Sequence, residues 1–178
     1  MPLDALRDSL PAHAKDLASN LSNLAGEDTL NGQQKWGAFV ASAYAIGVAP
    51  VIRAIDEAAR EAGLSEEAHT AAKGAAAIMG MNNVYYRALH IMAHGEEYRT
   101  LPARLRMTII GNPGVEKADF ELWSTAVSAV NGCGMCMDAH EAELKKHGVT
   151  AVQIQAALRI AAVVNGVSRV VQAEAAAA

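Results

Sequence analysis

The chain of 178 residues is long enough for one compact domain or two small packed repeats. Apolar residues make up 52% of it, but much of that share is alanine and aromatic residues reach only 4%, which favours closely packed helices over a β-sandwich. The formal net charge is −4 and the sequence has no dense basic stripe, which argues against nucleic acid as the main partner.

Hydrophobic periodicity predicts helices along the whole chain. In the N-terminal stretch, leucines recur at three- and four-residue spacing, and Pro11 predicts a break and restart because proline fits a first helical turn but not a helix interior. The later helices are predicted over 33–46, 50–62, 65–93, 116–131, 134–147 and 150–173. Ser65 and Thr150 supply cap oxygens for two of them. No segment alternates with period two, so we predict an all-α fold.

The chain matches itself at an offset of about 86 residues, which predicts a duplicated helical unit. The matching segments are 36–43 with 123–130, 63–65 with 148–150, and 75–81 with 161–167. The first match is anchored by tryptophan, which is rare in this sequence. We therefore predict a single domain over 1–178, in which N-terminal helices precede two related halves at approximately 33–93 and 120–173.

A CxxC motif, Cys133 to Cys136, follows the turn signal Asn131-Gly132. Cys133 is predicted at or just before a helix N-terminus and Cys136 in its first turn, where the helix dipole favours the thiolate. Their spacing brings the two sulfurs within reach of a disulfide. Two cysteines are too few for a disulfide scaffold, and in a reducing cytosol such a pair is catalytic, redox-sensing or metal-binding.

The reactive groups occur in only one of the two matching halves. The residues that the offset places opposite Cys133, Cys136 and His140 are Ile46, Ala49 and Arg53. His140 lies on the same helical face as the two cysteines and can accept a thiol proton directly or through one water. Glu121, on the preceding helix, is the nearest upstream carboxylate that could orient this imidazole. This asymmetry favours a chemical role, because the repeated packing pattern does not need these groups.

Two structural roles compete with a chemical role for the motif. Buried free cysteines can act as small apolar side chains. A zinc site is the sharper alternative, because Cys133, Cys136, His140 and His147 offer four ligands. On one helix, however, the two histidines would lie roughly 10 Å apart along the axis, at about 1.5 Å per residue. Such a separation argues against a complete structural zinc site.

The N-terminal residues and the most apolar stretch of the chain bear on its location. The first residues, Met1 to Asp4, lack the basic and apolar regions of a secretory signal. The stretch 154–171 is the most apolar, but it contains Arg159 and Arg169, which argues against a membrane span. We therefore expect a cytoplasmic protein that does not bind a membrane.

The segments around the motif carry a specific resemblance. Residues 120–124 read Phe-Glu-Leu-Trp-Ser, and 131–141 contain Asn-Gly-Cys-x-x-Cys-x-x-x-His-Glu. Together with 79–87 and 104–114, these segments closely resemble the alkyl hydroperoxidase D family, of the carboxymuconolactone-decarboxylase-like group. The resemblance implies an all-helical fold with a duplicated unit, assembled as a homotrimer.

The resemblance also implies an activity, that of a disulfide reductant and weak peroxidase with no bound cofactor. Electrons would come from dihydrolipoamide, as the lipoyl group of a dihydrolipoamide acyltransferase served by lipoamide dehydrogenase. They would pass to the peroxiredoxin alkyl hydroperoxide reductase C. Because the fold group also contains carboxymuconolactone-type decarboxylases, that activity is one alternative, although it needs no redox-active CxxC. A non-enzymatic thiol redox sensor is another.

Roles for individual residues follow from the same resemblance. Cys136 would be the thiol that attacks the peroxide and becomes the sulfenic acid. Cys133 would donate a proton and then close the redox-active disulfide Cys133–Cys136. Glu121 and His140 would form the proton relay. Some relatives carry a second histidine between the cysteines, where this chain has Gly134-Met135, so we expect lower peroxidase turnover or an altered pH dependence.

Overall fold

The computed structural model describes residues 2–177, and over this range the backbone forms ten α-helices and one 3-10 turn, without a strand. The helices are α1 (Pro2–Asp8), α2 (Lys15–Gly26), α3 (Gly32–Ile46), α4 (Ala49–Glu61), α5 (Glu66–Ile91), α6 (Gly95–Arg99), α7 (Thr108–Gly111), α8 (Lys117–Asn131), α9 (Gly134–Lys146) and α10 (Ala151–Ala177). The 3-10 turn spans Ala12–Ala14 and begins directly after Pro11, where the break was predicted. The all-α prediction is confirmed.

The long helices begin and end close to their predicted bounds, and local signals explain why. The Ser65 side chain accepts a hydrogen bond from the Ala68 amide at the start of α5, and Thr150 Oγ accepts one from the Gln153 amide at the start of α10. The short helices α6 and α7 were not predicted, because a segment of one turn is too short to show a hydrophobic period.

Helices α3 and α8 form the centre of the molecule and pack against each other, against α5 and against α10. Their facing side chains are completely buried, among them Phe39, Phe120 and Trp123. The Trp123 ring lies directly over Gly37, and its indole N–H donates a hydrogen bond of 3.1 Å to the Gln34 carbonyl. A small residue in α3 therefore allows the two central helices to approach closely.

Two helical triplets, α3–α5 and α8–α10, have nearly the same dimensions. Their helices contain 15, 13 and 26 residues in the first and 15, 13 and 27 in the second. Gly47 and Gly132 end the first helix of each triplet, both in the left-handed conformation that glycine adopts without strain. These similarities support the proposed duplication of a helical unit.

The helix ends correct the register of the repeat. Gly47 and Gly132 lie 85 residues apart, as do the starts of α4 and α9, so the offset used for the reactive residues was too large. At the corrected offset the residues opposite Cys133, Cys136 and His140 are Val48, Val51 and Ile55, and Trp36 lies opposite Glu121. The error arose because alanine-rich helices match each other in several registers.

Helix α10 is the one helix within residues 2–177 whose length and composition would allow it to cross a membrane. It has 27 residues, and its most apolar window has a mean hydropathy of 1.3. Half of that window is buried inside the fold, where α10 packs against α2, α3 and α8. Because the core helix of a globular domain meets the same criterion, this observation is weak evidence for a span.

Candidate active site at the CxxC motif

The two cysteines lie at the junction between α8 and α9. Gly132 ends α8 with a φ of 68°, Cys133 precedes α9 as its cap, and Cys136 occupies the first turn of α9. The cysteines form a disulfide with their Cα atoms 5.3 Å apart. The predicted positions of both residues and the reach between their sulfurs are confirmed.

The two sulfur-bearing residues differ in access. Cys133 is completely buried, whereas Cys136 is 7% exposed and lines a cavity of about 280 Å³. The other walls of this cavity are formed by Met79, Asn82, Tyr86, Ile110, Met135, Ala139 and His140. Ala139 is exposed at the rim of the cavity. A molecule that enters from the surface therefore meets Cys136 before Cys133.

His140 and Glu121, predicted from sequence as a relay, are in direct contact. The His140 Nδ1 atom lies 2.6 Å from Glu121 Oε2, and the Glu121 side chain is buried. With a carboxylate at Nδ1, the proton of the neutral ring is held on Nδ1 and Nε2 keeps its lone pair. The structure thus brings the two predicted relay residues together across the α8–α9 contact.

The second ring nitrogen of His140, Nε2, has a neighbour that the sequence analysis did not predict. Nε2 lies 3.3 Å from the Met79 sulfur on α5. Because a thioether has no hydrogen to donate, this contact leaves the lone pair of Nε2 unused. His140 and Cys136 nevertheless line the same cavity. Proton transfer between them would therefore cross the cavity, which fits the predicted route through one bridging group better than direct transfer.

Glu121 has a second partner that the sequence analysis missed. Lys117 Nζ lies 2.7 Å from Glu121 Oε1 and also donates a hydrogen bond of 2.8 Å to the Ile110 carbonyl, in the cavity wall. Burial by itself would raise the pKa of Glu121, but hydrogen bonds from His140 and Lys117, and their charges, outweigh it and lower that pKa below its ordinary value. The i, i+4 spacing of Lys117 and Glu121 on α8 is the signal that could have revealed the contact.

A polar network on α5 supports the turn that precedes Cys133. Asn83 donates a hydrogen bond of 2.9 Å to Ser128 Oγ and accepts one of 3.0 Å from the side-chain amide of Asn131. Arg87 donates to the Asn131 carbonyl. The segment 79–87, singled out by its resemblance, therefore contacts the end of α8 and fixes the position from which α9 begins.

The four residues considered as zinc ligands do not converge. The cysteines are joined to each other, His140 contacts Glu121, and His147 lies at the end of α9 with Nε2 3.3 Å from Glu143. In the part of the chain that the structure describes, no group of three or more His, Cys, Asp or Glu residues is placed to hold a metal ion.

These features define an all-helical protein with a CxxC disulfide beside a histidine that is paired with a buried carboxylate. A family model described as the carboxymuconolactone decarboxylase family matches residues 96–178, the part that contains this site. Proteins called alkyl hydroperoxide reductase AhpD are similar over almost the whole chain. The relative from Hyphomonas neptunium is 62% identical over 99% of this chain and 97% of its own length. The one from Maricaulis maris is 60% identical over 98% of this chain and 99% of its own length.

A relative of lower identity gives the same result. The relative from Streptomyces coelicolor is 53% identical over 98% of this chain and 97% of its own length. The chain belongs to the AhpD family of alkyl hydroperoxide reductases. The resemblance seen in the motif segments is confirmed.

Proposed function

We propose that the protein reduces organic hydroperoxides by cycling the Cys133–Cys136 pair between dithiol and disulfide. The observation that carries this proposal is the position of the disulfide at the start of α9, with Cys136 facing a cavity and Cys133 buried behind it. The names of the relatives, alkyl hydroperoxide reductase AhpD, support the same activity.

The first step is attack by Cys136. His140, oriented by Glu121, takes the Cys136 proton through a bridging group in the cavity, and the start of α9 stabilises the thiolate. The thiolate forms a bond to the terminal oxygen of the hydroperoxide as the O–O bond breaks. The departing alkoxide receives a proton from the Cys133 thiol and leaves as the alcohol, while Cys136 becomes the sulfenic acid.

The second step closes the disulfide. The Cys133 thiolate attacks the Cys136 sulfur, and the hydroxide of the sulfenic acid takes the proton held by His140 and leaves as water. One dithiol and one hydroperoxide thus give one disulfide, one alcohol and one water. Rapid closure protects Cys136 from further oxidation, because the two residues are already within disulfide distance.

We further propose dihydrolipoamide as the electron donor, carried by a lipoylated dihydrolipoamide acyltransferase and regenerated by lipoamide dehydrogenase in the cytoplasm. The mostly apolar walls of the cavity suit the aliphatic lipoyl arm. The peroxiredoxin alkyl hydroperoxide reductase C is the proposed second acceptor. Exposed apolar residues near the end of α5 and beyond it support assembly as a homotrimer, among them Val84, Ile91 and Leu101.

A reconstituted assay tests this function. Purified protein, lipoamide dehydrogenase, lipoylated acyltransferase and cumene hydroperoxide are expected to consume NADH, with and without the peroxiredoxin. Cys136→Ser is expected to abolish turnover, because the attacking sulfur is lost. Full turnover by this variant would refute the role of Cys136. Oxidation of one dithiol per chain with no further turnover would instead indicate a redox sensor.

The description of the matching family model favours a decarboxylase as the second candidate. That reaction requires no change in the oxidation state of the cysteines. It predicts loss of absorbance from carboxymuconolactone at the same rate in the wild type and in Cys136→Ser. A wild-type protein that leaves carboxymuconolactone unchanged rules out this candidate.

A further inference from the structure

Two side chains of α5 hold the turn between α8 and α9. Asn83 donates to the Ser128 hydroxyl at 2.9 Å and accepts from the Asn131 side chain at 3.0 Å, so both polar groups of its completely buried amide are used. Arg87 donates to the Asn131 carbonyl. The Ser128 carbonyl in turn accepts a hydrogen bond of 3.0 Å from the Cys133 amide. The backbone of Cys133 is therefore tied to α5 through Ser128 and Asn131.

The two cysteines depend on this turn to different degrees. Cys136 lies within α9 and moves with that helix, whereas Cys133 is the cap residue between the two helices. In the oxidised protein the disulfide also fixes the distance between them. Reduction removes this covalent link, and the position of Cys133 relative to Cys136 then depends on the turn and on the contacts that hold it. The contacts from α5 therefore matter most in the dithiol form.

The first triplet contains the corresponding turn without these contacts. Helix α10 packs against α3 as α5 packs against α8, and Gly47 ends α3 in the left-handed conformation. At the offset of 85 residues, the four positions of the network are occupied by Ala43, Ile46, Ser168 and Gln172. Two of these side chains are apolar, the Ser168 hydroxyl is buried without a partner, and Gln172 is exposed. The fold therefore forms this turn without such a network, and the network accompanies the cysteine pair.

We infer that Asn83 and Arg87 are positioning residues for disulfide closure: they hold the Cys133 thiol within reach of Cys136 when the pair is reduced. The inference rests on the proposed function, which assigns attack to Cys136 and closure to Cys133. In closure, a bond forms between the two sulfurs as the bond from the Cys136 sulfur to its leaving group breaks, and the leaving group takes the electron pair. The two α5 residues do not take part in this exchange.

Slow closure has a chemical consequence. While the Cys136 sulfenic acid waits, a second hydroperoxide can transfer an oxygen atom to it, which gives the sulfinic acid and an alcohol. Closure and this second oxidation compete for the same intermediate. A correctly placed Cys133 thiol therefore protects the enzyme, and Asn83 and Arg87 would determine how well it does so.

The test separates attack from closure with the aromatic disulfide DTNB. The Cys136 thiolate displaces one coloured thiolate from DTNB and becomes a mixed disulfide. Cys133 then displaces the other coloured thiolate and closes the protein disulfide. The two phases of the absorbance trace therefore measure the reactivity of Cys136 and the rate of closure, without any hydroperoxide.

Substitutions of Arg87 give the main comparison, because this side chain is half-buried. For Arg87→Met we expect the second phase to slow about tenfold, since Cys133 is less well oriented, and the first phase to stay within about twofold of the wild type. Arg87→Lys keeps a cationic donor, and its second phase is expected within about threefold of the wild type. Gln172→Met is the matched control at the equivalent position of α10 and should change neither phase.

Asn83→Leu removes both hydrogen bonds of the buried amide at nearly the same volume, and its second phase should slow at least as much as that of Arg87→Met. If this variant does not fold, the Arg87 variants still decide the question. Treatment of the reduced proteins with cumene hydroperoxide supplies a second readout. By mass spectrometry, the hydroperoxide concentration that converts half of Cys136 to sulfinic acid should be about tenfold lower for Arg87→Met, because it is proportional to the closure rate.

The possible failures are distinguishable. An unchanged second phase in Arg87→Met, or equal slowing of both phases, overturns the positioning role while the wild-type activity stands. Failure of Arg87→Lys to recover any of the closure rate also contradicts the role of the hydrogen bond to the Asn131 carbonyl. A wild-type protein that shows both DTNB phases but does not reduce cumene hydroperoxide overturns the proposed function instead.

Discussion

The triplets α3–α5 and α8–α10 share a backbone and differ in chemistry. Val48 precedes α4 with φ and ψ of −90° and 109°, and Cys133 precedes α9 with −99° and 89°. Val51 and Cys136 then occupy the same position in the first turn of their helices. The backbone that presents the CxxC pair is therefore present twice. What distinguishes the second copy is its side chains and the cavity that they line.

Each triplet also contains a histidine–carboxylate pair with one buried member, but the two pairs have different surroundings. In the first, His69 Nε2 lies 2.8 Å from Asp56 Oδ1, and the Tyr44 hydroxyl donates a hydrogen bond of 2.8 Å to Asp56 Oδ2. Burial raises the pKa of Tyr44, and the hydrogen bond to Asp56 raises it further. This cluster links α3, α4 and α5. In the second triplet His140 lines the same cavity as Cys136, so what distinguishes this pair is the cysteine beside it.

Moving the cysteines to the first triplet gives the largest expected effect. In a Cys133→Ser, Cys136→Ser background, we expect Val48→Cys with Val51→Cys to form a disulfide, because the backbone at the helix start is nearly the same. Hydroperoxide reduction should nevertheless be roughly a thousandfold slower than in the wild type, because Ile55 and Trp36 occupy the positions of His140 and Glu121. Thiol titration and single-turnover oxidation measure the two outcomes.

A transplanted pair with the wild-type rate would contradict this interpretation and show that the helix start alone is sufficient. The background variant without cysteines is the matched control.

Glu121→Gln tests the relay itself. Loss of the carboxylate removes the charge that orients His140, and we expect hydroperoxide reduction to fall about a hundredfold. The depressed pKa of Glu121 also gives stability that is present above the unfolded value of about 4.3 and is lost as the pH falls through the folded pKa. Thermal melts between neutral and acidic pH should show this acid-side loss in the wild type and less of it in the variant.

Glu143→Gln is the matched control, because Glu143 is also paired with a lysine and a histidine but lies on the surface of α9. This variant is expected to reduce hydroperoxide at a rate within about twofold of the wild-type rate. An equal loss in both variants would contradict a specific role for Glu121.

Gly37→Ala probes the contact between the two triplets. A Cβ atom at Gly37 would lie 2.1 Å from the Trp123 ring, so the central helices must separate or the ring must move. We expect the free energy of unfolding to fall by about 2 kcal/mol, as measured by denaturant titration. Gly80→Ala is the control: nothing lies within 4 Å of its added Cβ, and we expect a gain of about 0.5–1 kcal/mol. A Gly37→Ala protein as stable as the wild type would mean that the Trp123 ring is not tightly packed against α3.

Lys117→Met gives the smallest expected effect. The variant keeps the helix and much of the side-chain volume but removes one of the two hydrogen bonds that lower the pKa of Glu121. That pKa should rise, and the acid limb of the pH–rate profile should move to higher pH, with a loss of roughly threefold in rate at neutral pH. Lys145→Met removes a surface pair of the same spacing with Glu141 and should change neither quantity. Identical profiles for Lys117→Met and the wild type would refute the role of Lys117.

Hydrophobic spacing and turn signals were sufficient to predict the long helices, including the cap at Ser65 and the start of α9 at the CxxC motif. The register of the repeat could not be predicted, because alanine-rich helices match each other equally well when shifted by one or two residues. The predicted duplication, the cytoplasmic location and the homotrimer stay predictions.

For the site, the chain itself indicated the cysteines, His140 and Glu121, because their spacing of three and four residues and their neighbouring helices limit where they can lie. Met79, Asn82 and Asn83 come from α5, far away in sequence, and their contacts with the site depend on how α5 packs against α8 and α9. A local sequence pattern indicates which residues share a helix face. It does not indicate which distant helix covers that face. The cavity therefore became visible only once the helices were packed.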